Sequence, residues 1–469
     1  MELFNLLNKA IPVFGQTFDV SLNWIGKLIK GLIELVGGAG LVGLGIILFS
    51  LILKLIVLPF DIYQRIAMRK QNQKMKEQQD RMEKLQKQYA NDKAMYNQKL
   101  MEMYKENGIS MFSSCLPMIL SLVVFIVAIN AFNAYAQYSN VSNYNTLVNA
   151  YNTKIESYCP DLKAENITVD GNKIVVKDDA AYIYYELPYA GDSSVEYISG
   201  QTNKTYYIDT AKASELDEVN GIMQATGKTL EDAAYEYFVG EAQSAVVEAY
   251  EKGANGEEAI SNKTHFLWIK NIWVTDASYK HPVLNYEEFE AEAKREEFRV
   301  GDEKIEYSEI GKHTGTQVYS KDAYELITAK LTVQKEQANG YFVLIALSIG
   351  TILLQQFVMQ RSQKEQQKFS SVDGQAASQQ KMTMVIMTIM FAIFSFMYSS
   401  AFSIYMITSN VFSLASTLII NKLVDKSLDK KAEATTNERL DNRGLARIEA
   451  AKNAGKNSAQ ASRDKKNKN

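Results

Sequence analysis

Cysteine, histidine and proline are scarce in this chain of 469 residues, which holds two, three and six of them respectively. Cys115 opens a long apolar run and Cys159 lies well beyond it, so the two cannot pair and no disulfide framework supports a domain. His265, His281 and His313 lie 16 and 32 residues apart, spacings that fit no local metal motif. Histidine and acidic residues are missing from every long apolar run, and no glycine-rich loop of the phosphate-binding kind occurs. A pump, a nucleotide-driven transporter and an intramembrane protease all lose support from these gaps. The residues call for no cofactor and no metal. The first 40 residues also lack a signal peptide's basic end, short apolar core and small-residue cleavage site.

Long apolar runs are what the chain does have. They cover residues 41–60, 116–135, 341–359, 382–398 and 401–420, each near the 20 or so residues that cross a hydrocarbon core of roughly 30 Å. Five crossings put the termini on opposite sides. Loops kept in the cytoplasm carry excess Lys and Arg. Residues 61–106 hold 11 basic and 7 acidic side chains and residues 422–469 hold 13 and 7, whereas residues 140–339 hold 19 and 35. Long segments cross largely regardless of charge, so the short flanks Arg65, Arg69, Lys70 and Arg361, Lys364, Lys368 decide the matter. The N-terminus is expected outside and the C-terminus in the cytoplasm.

The fold class expected is an all-α polytopic membrane protein with five transmembrane helices, a cytoplasmic helical hairpin and an inserted extracellular α+β domain. Residues 1–40 include an amphipathic stretch with Trp24, Ile25, Leu28, Leu32 and Leu35 at helical spacing. It reads as an interfacial helix anchored by Trp24, or else as a helix packed on the outer domain. After the first span at 41–60, residues 61–110 place Met68, Met75, Met82 and Tyr89 seven residues apart. Beyond a turn at 90–93, Tyr96, Leu100 and Met103 share a helix face. Two such helices make an antiparallel hairpin, with a solvated charged loop as the plainer alternative.

The second span lies in 111–139, where Asn130 and Asn133 share a face that could turn to the bundle interior. Within the insertion, 140–339, alternation predicts strands at 172–177, 181–187 and 204–209 and periodicity predicts a helix at 230–250. Its many tyrosines read as core. Residues 340–421 hold spans three to five, the fourth rich in methionine. Residues 422–469 form a basic tail with few aromatics, disordered or weakly helical until bound.

Lys54 is the anomaly. A cation near the centre of a spanning helix costs about 2.5 to 3.5 kcal/mol on insertion scales. Ser50 lies one turn before it and Asp61 about 10 Å further along the axis, giving a thin polar stripe. One reading has Lys54 snorkel to the cytoplasmic interface and mean nothing more. The other makes it the charge of a wet groove open to the cytoplasm, with Gln355, Gln356 and Asn410 as further polar lining. A Ser50/Lys54 catalytic dyad is the poorer reading, because the pair is simply one helix turn and the site would sit on the wrong side.

Taken together, ILFSLILKLIVLPF at 47–60, the charged hairpin, and YKENG at 104–108 leading to SCLP at 114–117 resemble the YidC family of membrane protein insertases. FLWI at 266–269, the glutamines at 355 and 356, KMTMVIM at 381–387, YMITSN at 405–410 and Ser413 are similar to further family segments. The likeness covers residues 20–139, 264–275 and 338–425. It departs at Lys54, where Gram-positive members usually carry arginine, at Ser113-Ser114 in place of Gly-Gly, and at Ser416 or Thr417 in place of a glutamine. The large insertion between spans two and three is also unlike the compact members.

The resemblance implies a non-enzymatic insertase and chaperone in a bacterial plasma membrane, moving nascent membrane proteins from cytoplasm to bilayer without nucleotide hydrolysis. Its groove residues would be Lys54, Ser50, Gln355, Gln356, Asn410 and Ser413. The hairpin residues Met68, Met75, Met82, Tyr89, Tyr96 and Leu100 would receive substrate. Lys430, Lys431, Arg443, Arg447, Lys465 and Lys466 in the tail would bind ribosomal RNA, with the secretory translocon a further partner. The competing reading is a polytopic receptor or scaffold whose outer domain binds a ligand, with Lys54 only snorkelling.

Overall fold

Apolar side chains all round a helix bury it in protein or lipid, and among the described residues of the computed structural model four helices are long and apolar enough to cross a membrane. They are Val42–Gln64, Leu122–Glu156, Val343–Arg361 and Ser400–Ile420. The structure describes residues 9–15, 17–36, 41–108, 116–188, 204–254, 256, 258–277, 279, 281–300, 302, 303–310, 318–332, 338–370, 375–420 and 422–423. The expected fourth span falls in a helix running Gln375–Met397, whose described apolar part is the shorter Thr388–Met397. The chain is mostly helical with a small β region.

The helices in chain order are α1 (Trp24–Leu35), α2 (Val42–Glu77), α3 (Gln79–Gln88), α4 (Lys93–Glu106) and α5 (Leu116–Glu156). Those that follow, up to residue 332, are α6 (Thr210–Ala213), α7 (Asp217–Thr226), α8 (Leu230–Glu251), α9 (Ile260–Thr264), α10 (Tyr286–Ala293) and α11 (Lys321–Thr332). Then follow α12 (Val343–Ser370), α13 (Gln375–Met397) and α14 (Ser400–Ile420). Contacts divide the chain into two compact units. The first draws on residues up to Leu53, Leu120–Leu353 and Thr383–Ser409; the second draws on Lys54–Ile119, Leu354–Met382 and residues from Asn410 onward. The division falls inside each of α2, α5, α12, α13 and α14.

The first unit has two cores. One joins α1, the first turns of α2, α5, residues 266–273 and α14 through Ile29, Ile33, Ile46, Phe49, Phe132, Trp273 and Phe402. Phe125 is ringed by Phe391, Phe394 and Phe402 with centroids 5.0 to 5.6 Å away, a dry aromatic packing. The amphipathic helix α1 is apolar on two faces. Ile29 and Ile33 pack inward, and a Cβ at Gly45 would lie 2.8 Å from the Ile33 backbone, so only glycine admits this approach of α1 to α2. Trp24, Leu28 and Leu35 remain exposed. Asn130 is exposed too, because Ala128, Ala131 and Phe132 take the inward face of α5.

The second core lies within residues 141–331, joined by Ile11 and Phe18. A five-stranded antiparallel sheet runs β1 (Ala10–Ile11), β6 (Thr205–Ile208), β5 (Ile183–Pro188), β4 (Lys173–Val176) and β3 (Ile167–Asp170). Alternation buries Ile174, Val176, Ile183, Tyr185, Leu187, Tyr206 and Ile208 on one face. A second sheet runs β2 (Asp19–Ser21), β7 (Glu297–Val300) and β8 (Glu303–Ile305). Helix α8 starts at Thr229, whose side chain accepts from the Asp232 amide. It buries Phe238, Val239, Ala242, Val246 and Tyr250 against the rest.

Buried tyrosines need a hydrogen-bond partner, and Tyr144 and Tyr324 donate to the Val318 and Leu284 carbonyls, each at 2.8 Å. Two findings were not visible in the residue pattern. The N-terminal segment supplies β1 and β2, pairing Ala10 with Tyr207 and Val20 with Phe298. Helix α5 also continues from the apolar run into the domain as far as Glu156.

In the second unit, α3 and α4 pack antiparallel over Met82, Met103 and Tyr104, with Leu85 and Leu100 at the edge. Arg81 and Glu106 pair across them at 3.0 Å, and the Lys74 ammonium donates to the Asn107 carbonyl at 3.1 Å. Both contacts are exposed, so the methionine seam carries most of the stabilisation.

Glu296, at the start of the second sheet, is pushed up to about 7 by burial and then by the neighbouring Glu292 carboxylate. Its folded value stands above the unfolded one near 4.3, so folding favours the protonated form. Stability should therefore fall as pH rises through that window, with the full cost above about 7. Thermal melts of the full chain in detergent from about pH 5 to about pH 8 should show the midpoint falling. Glu296→Gln should remove most of that fall, and an unchanged slope would refute the assignment.

Candidate functional site

A helix that carries a cation through an apolar stretch must give it water, protein or a counter-charge. Helix α2 runs unbroken past Lys54 and Pro59 to Glu77, although proline removes one backbone hydrogen bond. Lys54 is half-buried, and Asp61 stands two turns further on, near enough to attract its ammonium. Among the described residues no carboxylate pairs with Lys54.

Gln355 and Gln356 are half-buried on α12, and Asn410 is buried and Ser413 half-buried on α14. These four and Lys54 lie in the second unit. Ser50 lies in the first unit, fully buried, and its hydroxyl donates to the Ile46 carbonyl at 2.6 Å. That local bond occupies the serine's proton one turn back in its own helix.

On the hairpin, Met82 is buried while Tyr89, Tyr96 and Leu100 are half-buried. The side chains of Met68 and Met75 lie outside the described residues, as do Lys430, Lys431, Arg443, Arg447, Lys465 and Lys466. Tyr104, which the seven-residue spacing did not single out, completes the seam. Among the described residues no group of His, Cys, Asp and Glu could hold a metal ion.

A polar clasp in the first unit was missed by the sequence reading. Asn339 is fully buried; its Oδ1 accepts from the Asn271 amide at 2.7 Å and its Nδ2 donates to the Asn271 carbonyl at 2.6 Å. The same Nδ2 reaches the Thr275 carbonyl and the Ser400 hydroxyl, each at 3.3 Å. Ser400 at the start of α14 donates to the Val274 carbonyl through both its amide, at 2.8 Å, and its hydroxyl, at 2.9 Å. Asp276 accepts from the Ile345 amide in the first turn of α12 at 3.2 Å, and burial pushes its carboxyl above the usual range. Further along, the Ser348 and Ser395 hydroxyls meet at 2.9 Å between α12 and α13. The clasp fastens the starts of α12 and α14 to residues 271–276. Its one sequence signal is Asn-Gly directly before an apolar run.

The sequence profile of the 60Kd inner membrane protein family matches residues 34–176 and 254–427. It leaves 177–253 unmatched, the stretch that holds β5, β6 and α6 to α8. Among similar proteins is a membrane protein insertase YidC of Caldanaerobacter subterraneus subsp. tengcongensis, 36% identical over 101 residues, or 22% of this chain and 46% of that one. The YidC of Fusobacterium nucleatum is 36% identical over 122 residues, 26% of this chain and 49% of that one. The YidC of Clostridium perfringens is 35% identical over 123 residues, 26% and 44%. The chain thus spans about half the length of the relatives it matches. No solved structure matches it.

Asn339→Leu would strand the Asn271 amide and carbonyl, at about 1–3 kcal/mol for each buried group left unmade. The full chain in detergent should melt at lower temperature, with faster hydrogen exchange at residues 271–276. A variant that melts and exchanges like the parent would show the clasp to be dispensable.

Proposed function

The chain belongs to the 60Kd inner membrane protein family, that of the YidC membrane protein insertases, and on that premise we propose that it moves nascent membrane proteins from the cytoplasm into the bilayer. It is a multi-pass protein of the plasma membrane. The reading has five spans, with α13 as the fourth, the N-terminus outside and the basic tail in the cytoplasm. In it α1 lies in the interface, 61–110 is a cytoplasmic hairpin and 140–339 is outside.

The observation that carries the proposal is a half-buried cation on a spanning helix, with no carboxylate ion pair among the described residues, in the same unit as the polar residues of α12 and α14. Water around Lys54 shortens the hydrocarbon path that a polar segment must cross. An acidic or polar tail of the incoming chain is drawn toward Lys54, because attraction grows as the local dielectric falls. The apolar segment that follows then partitions into lipid, and roughly 25 cal/mol per Å² of apolar surface supplies the drive.

No nucleotide is hydrolysed and no covalent step is required. Gln355, Gln356, Asn410 and Ser413 line the polar path, and Ser50 lies one turn before Lys54 on the same helix. The hairpin side chains Met68, Met75, Met82, Tyr89, Tyr96 and Leu100 receive the substrate. The tail lysines and arginines hold the ribosome by displacing counterions from RNA, and the secretory translocon is a further partner.

Lysine keeps the charge of an arginine and loses its bidentate fork. Lys54→Arg should therefore support insertion of single-span substrates. Lys54→Ala should slow substrates with acidic outer tails by about tenfold or more, the equivalent of roughly 1.4 kcal/mol. Full activity of Lys54→Ala on such substrates removes the charge from the mechanism. A photocrosslinker placed at Gln355 should capture nascent membrane proteins on translating ribosomes, and its failure to capture any would sink the insertase reading itself.

A further inference from the structure

Residues 266–269 form a tight turn closed by two backbone bonds between Phe266 and Ile269, each 2.9 Å. Its flanks point inward: Phe266 and Ile269 are buried, and the Phe266 ring lies so close to α2 that a Cβ on Gly43 would stand 2.2 Å from it. Its tip points away. Leu267 is 61% exposed and Trp268 41%, with Leu267 in left-handed backbone at φ 55°.

Tyr341 and Phe342 make a second tip. Both are left-handed, at φ 58° and 64°, a conformation that residues with a Cβ rarely adopt, and they are 67% and 46% exposed. They stand between Gly340, whose amide donates to the Asp276 carbonyl at 3.3 Å and where a Cβ would collide with the Asp276 carboxylate, and Val343, the first residue of α12. The two tips share one foundation, since the Lys270 amide donates to the Asn339 carbonyl and the Asn339 side chain closes on Asn271. A fully buried polar clasp thus presents four large apolar side chains outward.

Their level is fixed by the spans. Tyr341 and Phe342 directly precede the spanning helix α12. Phe266 seats on Gly43 at the first turn of α2, two residues before Gly45, where α1 crosses. Tryptophan and tyrosine beside apolar residues, at the level where spanning helices begin, have the composition of an interfacial belt. Charge is absent from both tips, which disfavours a hydrated protein partner there.

We infer that Leu267-Trp268 and Tyr341-Phe342 are a lipid-anchoring foot, which sits at the headgroup–acyl boundary of the leaflet on the inserted domain's side and is distinct from α1. The strained backbone turns consecutive large side chains toward lipid. The clasp then makes the anchoring of the tips and the spacing of α12 from α14 one structure. A polar segment arriving at this end would meet a membrane boundary pinned to the protein.

The chain's three tryptophans make the test direct. With Trp24→Phe and Trp273→Phe, the full chain reconstituted in phosphatidylcholine vesicles reports from Trp268 alone. The foot requires blue-shifted emission that loses more than half its intensity to lipids brominated near the headgroup, with less loss to lipids brominated at the chain ends. Aqueous iodide should have little effect. Quenching by iodide without quenching by brominated lipid overturns the foot. Protection from both also overturns it, since the tip would then be covered by protein. Should the double variant fold poorly, Trp268→Phe in the otherwise unaltered chain gives the same answer by difference, as the loss of the shallow-lipid-quenchable signal.

Discussion

A side-chain amide shut away from water has to be answered by other groups in the protein, and the rest of the first unit depends on how Asn339 is answered. One residue meets the backbone of Asn271 in both directions and also reaches Thr275 and Ser400. An unmade bond in such surroundings is costly while a made one contributes only modestly, so the clasp acts less as glue than as a register. It admits one relative placement of the turn residues 271–276 and the starts of α12 and α14. Phe125 and its aromatic neighbours then fill the interior below without a polar gap. The second unit, by contrast, keeps several of its polar side chains half-exposed. Lys54, Gln355, Gln356 and Ser413 keep access that Asn339 and Asp276 have given up.

The features that repeat were legible in the sequence. Alternation over four to six residues located β4, β5 and β6, and a 3.6 period located α8, because each buries a face of its own. Strands β1 and β2 have two and three residues, too few to show a period, and are defined only by their partners. The methionine spacing pointed to the hairpin but not to Tyr104, which enters the seam from the second helix. Lys54 was legible as an exception to its surroundings. The clasp was not, since Asn271, Asp276, Asn339 and Ser400 are isolated polar residues whose meaning arises only when the fold brings them together.

Relatives share the parts that the profile matches, and the unmatched 177–253 supplies strands and helices to a core that matched residues also build. Tyr151 and Ile155 on α5 pack in the same cluster as Phe238 and Val246 on α8. The addition is thus an elaboration of an existing layer rather than a separate domain on a linker. Helix α5 ties it to the membrane part, because one continuous helix runs from the apolar segment to Glu156.

The pairing of β1 with β6 and of β2 with β7 bears on the order in which the protein can be made. Residues near 10 and 20 must wait for partners near 207 and 298, so both sheets stay incomplete until translation has passed most of the domain. Non-local pairings of this kind close slowly, and unpaired edges invite wrong partners meanwhile. The ribosome will have delivered α1, α2 and α5 long before β7 exists. The first strands therefore spend that interval beside a membrane helix with their hydrogen-bonding edges unclaimed, and biogenesis of this protein has a vulnerable period set by strand order.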